Sequence, residues 1–73
     1  MKKNNSNFAQ LRPHLSAAQA FRLRRATALM DPTTAEEICL LLLVERKYAT
    51  VPVIENRILR YVYNVVKAEV FAD

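Results

Sequence analysis

Asp31-Pro32-Thr33-Thr34-Ala35-Glu36-Glu37-Ile38-Cys39-Leu40-Leu41-Leu42-Leu43-Val44 is the stretch on which the fold turns. Asp31 before Pro32 suits a helix N-cap followed by proline at the first helical position, where a missing N–H is no loss. Thr33 with Glu36, or Thr34 with Glu37, offers a capping box, so the register of the start is open while the start itself is not. Glu36 and Glu37 complement the positive end of a helix dipole, and Arg46 and Lys47 the negative end. Every residue from Ile38 to Val44 is apolar, which leaves no polar face for over a turn and marks the segment as the centre of the core. A buried strand would present the same run, but the flanking caps and the leucines favour a helix over Thr33 to Tyr48.

Toward the N-terminus, Ser16-Ala17-Ala18-Gln19 is a second capping box and starts a helix from Ala17 to about Leu29, where Met30, Asp31 and Pro32 interrupt it. At about 100° per residue, Ala20, Leu23, Ala26 and Met30 share one side. Phe21, Arg22, Arg24 and Arg25 form a contiguous arc on the other, assigned to solvent. Either Phe21 reaches a core with the arginines as its hydrated border, or the arc is a binding face. Residues 1–15 begin polar and asparagine-rich, then carry isolated Phe8, Leu11 and Leu15 around Pro13. They read as a flexible basic arm that orders on a partner, with Phe8 and Leu11 as anchors.

Toward the C-terminus, Pro52 fits early in a third helix, Val53 to Ala68. Helical winding gathers Ile54, Ile58, Leu59, Tyr61, Val62, Val65, Val66 and Val70 into an arc of about 180°. The opposite stripe is Asn56, Arg57, Arg60, Asn64 and Lys67. The β-branched residues raise strand propensity here, but the adjacent Val65 and Val66 and the Tyr61-Val62-Tyr63 triplet break strand alternation. The expected fold is all-α: a small three-helix domain over 16–73 behind the arm, with a core of Leu23, Ile38, Leu41, Leu42, Ile54, Ile58, Val62 and Val65.

Composition narrows the function. Seventy-three residues, 52% hydrophobic and 25% charged, make one small folded domain. There is no glycine, so no P-loop, dinucleotide fingerprint, nucleophile elbow or EF-hand loop can be written, and enzymatic catalysis is not expected. Cys39 is the only cysteine and sits among apolar neighbours, which makes it a buried inert thiol. His14 has no spaced ligand partner, so neither a metal nor another cofactor is expected. The longest apolar run is far short of the ~20 residues of a membrane span. The polar residues after Lys2 and Lys3 do not continue a signal peptide, and a cytoplasmic location is expected.

The net charge of +4 is uneven. Lys2, Lys3, Arg12, Arg22, Arg24 and Arg25 give residues 1–30 a charge of +6 without one acid, while residues 31–73 carry −2. Such asymmetry points to an anionic partner, nucleic acid or an acidic protein surface, although a basic tail also aids solubility. With Phe8, Leu11 and Phe21 as apolar anchors, this half is the expected partner surface. The stripe Asn56, Arg57, Arg60, Asn64 and Lys67 offers an alternative, DNA reading by the second helix of a helix-turn-helix. Against that stand the missing turn glycine, the adjacent Glu55 and the net negative charge of that half. A hydrated helix face accounts for the same residues.

The start Met1-Lys2-Lys3-Asn4-Asn5-Ser6-Asn7, the Thr33-Thr34-Ala35-Glu36-Glu37 helix start and the closing Tyr61-Val62-Tyr63-Asn64-Val65-Val66-Lys67 resemble the small transcription regulators of Xanthomonas-infecting phage that bind host RNA polymerase. The resemblance spans the chain in length and overall pattern, without a diagnostic motif. It implies contact with the N-terminal part of the polymerase β′ subunit, inhibition of initiation by loosening σ, and suppression of intrinsic termination. No contact residue carries over from it.

Overall fold

The computed structural model of the chain describes residues 6–72. Among them are four α-helices and no strand: α1 (Asn7–Leu11), α2 (Ala17–Thr27), α3 (Pro32–Tyr48) and α4 (Arg57–Val70), with a 3-10 turn at Arg12–His14. The chain is all-α. Its three long helices are those expected, and a short fourth stands where the arm was placed.

Local cap chemistry sets most of the boundaries. Ser16 Oγ accepts from the Gln19 N–H while Gln19 Oε1 accepts from the Ser16 N–H, so the α2 capping box closes in both directions. Asp31 accepts from the N–H groups of Thr33 and Thr34, and this cap, with Pro32 behind it, starts α3 in place of either threonine box. Asn56 Oδ1 accepts from the Leu59 N–H at 3.0 Å, which starts α4 at Arg57 and not at Val53. Residues 49–56 are irregular. Their Ile54 is buried in the core, and Arg60 Nη1 holds its carbonyl at 3.3 Å. α3 ends on Ala49 with φ at 54°, a left-handed conformation that costs any residue with a Cβ.

The expected arm is packed from Asn7 onward. Ser6 caps α1 through the Ala9 N–H, and Asn7 clamps Glu36 of α3 twice: its backbone N–H donates to Glu36 Oε1 at 2.9 Å and its Nδ2 to the Glu36 carbonyl at 3.0 Å. Phe8 and Leu11, one turn apart on α1, pack into the core beside α3, and Leu15, extended after the 3-10 turn, is buried in the same core. Leu11 is fully buried, inside the fold instead of on a partner. Lys2 and Lys3 lie outside the described residues.

α1 lies mainly against α3 and α2 mainly against α4, with α3 and α4 meeting between them. Ile38, Cys39, Leu42 and Leu43 of α3 supply the largest share of the core, joined by Ala20 and Leu23 from α2 and by Tyr63, Val66 and Val70 from α4. Of the expected core, Leu23, Ile38, Leu42 and Ile54 are buried, and Leu41 and Val62 are half-buried. Ile58 and Val65 correct the expectation: both are exposed. The cause is geometric. An apolar arc of about 180° is wider than the side of α4 that α2 and α3 can cover, and the covered side centres on Tyr63, Val66 and Val70.

Candidate interaction surfaces

α4 presents three faces. The inner one closes the core. The polar one holds the stripe singled out for DNA reading, and much of it is engaged within the fold: Asn56 caps the helix, Arg60 holds the Ile54 carbonyl, and Lys67 Nζ pairs with Glu45 Oε2 of α3 at 2.7 Å. Arg57 and Asn64 stand exposed. The connection over 49–56 is about twice the three- to four-residue turn of a helix-turn-helix, so the outline that motivated the DNA reading is not the one formed.

Tyr63, absent from the expected core, donates its hydroxyl hydrogen to Glu45 Oε1, so that Glu45 is gripped by two residues one turn apart on α4. Hydrogen bonds from Lys67 and then Tyr63 hold the Glu45 carboxyl below its ordinary value against the opposing effect of burial. Burial, reinforced by Glu45, pushes the Tyr63 phenol up. The cluster is a clasp between α3 and α4. Cys39 is buried as expected, and burial and the charge of Glu36 push its thiol up to about 11.

The third face of α4 is apolar and uncovered. Ile58, Tyr61 and Val65, at i, i+3 and i+7, are 77%, 70% and 46% exposed among the described residues, a one-turn-repeating stripe open to solvent. Val51 and Val53 of the connection are also exposed, Val53 to 90%. Ile58 and Tyr61 line an open depression of about 680 Å³ with Glu55, Asn56 and Arg57. Sequence reading missed this surface because it placed Ile58 and Val65 in the core. The excess width of the apolar arc was the signal that could have exposed it.

The basic half splits by role. Arg22, expected on the solvent face, is half-buried; its Nη1 donates to the carbonyls of Val70 and Ala72 at 3.2 and 3.1 Å, closing the end of α4. This corrects the assignment of Arg22 to a free arc. Arg12 reaches the Leu15 carbonyl at 3.1 Å and keeps an exposed side. Phe8 is partly buried, with the Arg24 guanidinium 4.6 Å from its ring centroid. Phe21 is 61% exposed with Arg25 5.6 Å from its ring, and Arg25 makes a loose 3.7 Å pair with Glu69 between exposed side chains. The structure thus brings Phe21, Arg24 and Arg25 together on the outer face of α2. Among the described residues no group of three or more His, Cys, Asp and Glu is arranged to hold a metal ion, and no helix is long and apolar enough to cross a membrane. No family model, curated protein or solved structure matches the chain.

Proposed function

We propose that the chain is a non-enzymatic regulator that works in the bacterial cytoplasm by binding a larger protein, and that this protein is the host RNA polymerase. One observation supports the binding reading above the others: a small domain that leaves Ile58, Tyr61 and Val65 in a row at its surface keeps apolar area for a partner. The polymerase as partner, its β′ subunit as the point of contact, and the inhibition of initiation and of intrinsic termination follow from the resemblance. The net positive charge suits approach to a large anionic assembly, where it raises the encounter rate while apolar anchors hold the complex.

The test is capture from a Xanthomonas lysate with the intact chain as bait, alongside a gel-shift with promoter duplex alone. Retention of polymerase by the wild type, and its loss on Ile58→Ser with Tyr61→Ser, is the expected outcome. A chain that shifts duplex DNA in a sequence-dependent way and retains no polymerase overturns the reading in favour of direct DNA binding.

A further inference from the structure

We propose that the outer face of α2 binds single-stranded nucleic acid, with Phe21 stacking on an unpaired base while Arg24 and Arg25 hold the flanking phosphates. The inference is independent of the polymerase reading and concerns a different face of the molecule.

Helical winding places Ala17, Ala18, Phe21, Arg24, Arg25 and Ala28 within an arc of about 120°, with Phe21 near its centre. The other residues of the arc are alanines; the Arg25 guanidinium stands 5.6 Å from the ring centroid, and with Phe21 61% exposed a flat base can still approach the ring. α2 contains no acid; Glu36 of α3 lines a depression with Phe8 and Arg24, and Glu69 meets Arg25 only at 3.7 Å in an exposed pair. Exposed pairs of this kind contribute little and give way readily to a phosphate. An aromatic ring between cations is the arrangement by which proteins hold unpaired strands, because every base has a π-face and every linkage a negative charge.

The other anionic partners fit less well. A protein interface needs apolar area at its centre, and here there is one phenylalanine among alanines; the uncovered stripe of α4 answers that need better. A membrane surface needs a broad apolar face to insert, which α2 does not offer outward. Duplex DNA needs an element that enters a groove, whereas an exposed ring on a helix flank meets a base only where the base is unpaired.

Fluorescence anisotropy with the full chain and a labelled oligouridylate of about 12 nucleotides tests the proposal, with single-stranded DNA, duplex DNA and anionic phospholipid vesicles as competitors. Expected is binding to either single strand, with log affinity falling against log salt at a slope near −1.4 for two phosphates. Phe21→Leu, which keeps the bulk but loses the stacking face, weakens binding about tenfold and leaves the slope unchanged. The chain contains no tryptophan, so Phe21→Trp both retains binding and reports it by quenching of its fluorescence. Arg24→Ala with Arg25→Ala abolishes the salt slope. Arg24→Lys with Arg25→Lys keeps it, which separates loss of charge from loss of the Phe8 contact. The proposal is overturned by undetectable binding of either single strand at about 50 mM salt, by Phe21→Leu binding as tightly as wild type, or by duplex or vesicles competing better than the single strands.

Discussion

Tyr63, Val66 and Val70 on one side of α4 are enclosed by the rest of the molecule, while Ile58, Tyr61 and Val65, equally apolar, face outward about a third of a turn away. Both sets obey helical periodicity. Periodicity tells which residues share a side of a helix; which side receives a neighbour depends on where the other helices lie and on how much chain there is to cover it. Among the described residues, α2 and α3 enclose one side of α4 and leave the other open.

The largest effects separate enclosed from uncovered residues. Leu42→Ala and Leu11→Ala each remove a side chain with almost no exposure and should cost about 2–5 kcal/mol in urea melts. For a domain this small that is enough to populate the unfolded state at 25 °C. Leu11 is the sharper case. A partner anchor on a free arm would cost nothing when truncated, so an unchanged melt for Leu11→Ala would return residues 7–14 to the arm that their composition suggested.

The clasp on the enclosed side comes next. Glu45→Ala leaves the Tyr63 hydroxyl and the Lys67 ammonium without their shared acceptor, a loss of about 1–3 kcal/mol. The pH dependence follows from the shifts. Glu45 is held below its ordinary 4.5 in the fold, so its contribution is complete above that value and disappears as pH falls through the lower, folded-state value. Tyr63 and Cys39 are raised, so their contributions are complete below their ordinary values of 10.0 and 9.0 and are lost as pH rises beyond them. Urea midpoints should therefore form a plateau between about pH 5 and 9, and Glu45→Gln should flatten its acid edge only. A wild-type midpoint that stays constant through the acid range would remove Glu45 as the clasp.

A smaller effect, of opposite sign, lies where α3 gives way to the connection that leaves Val51 and Val53 exposed. Ala49 holds φ at 54° in a chain without glycine. Ala49→Gly relieves a cost of about 1–2 kcal/mol and adds backbone freedom to the unfolded chain, for a net gain of about 0.5–1 kcal/mol. A loss of stability would mean that the left-handed turn is not the one the chain adopts.

The features legible in the sequence were those settled within a few residues of themselves. Ser16 with Gln19, and Asp31 ahead of Pro32, decide helix starts through bonds across three positions or fewer, and the helices begin there. Asn56 carries the same information, but the apolar Val53 and Ile54 drew the expected helix start too early. Features set by distant partners were not legible. The acceptors of Arg22 lie 48 and 50 residues along the chain, so nothing around Arg22 distinguishes it from Arg24 or Arg25. Glu45 and Tyr63 meet across 18 residues, and no local pattern links them. Leu11 was hidden by the polar composition around it, although its spacing of three from Phe8 is that of one helical face. On α2, Phe21, Arg24 and Arg25 could be placed because an exposed face needs only the helix that carries it.

The smallest stability effect belongs to the uncovered stripe and decides its purpose. Ile58, 77% exposed, has little buried area to lose, and Val65, 46% exposed, loses part of a small side chain's cover on truncation. Replacing a β-branched residue by alanine in a helix contributes about 0.3–0.7 kcal/mol in the favourable direction. Ile58→Ala with Val65→Ala should thus leave the urea midpoint unchanged or slightly raised, within about 0.5 kcal/mol of wild type on either side. Capture of polymerase by the same variant should fall more than tenfold, equivalent to about 1.4 kcal/mol or more of binding free energy. The two readouts move apart only if the stripe is kept for a partner. A fall in both would place Ile58 and Val65 in the core after all, and a fall in neither would make the stripe an incidental apolar surface and move the protein-binding face elsewhere.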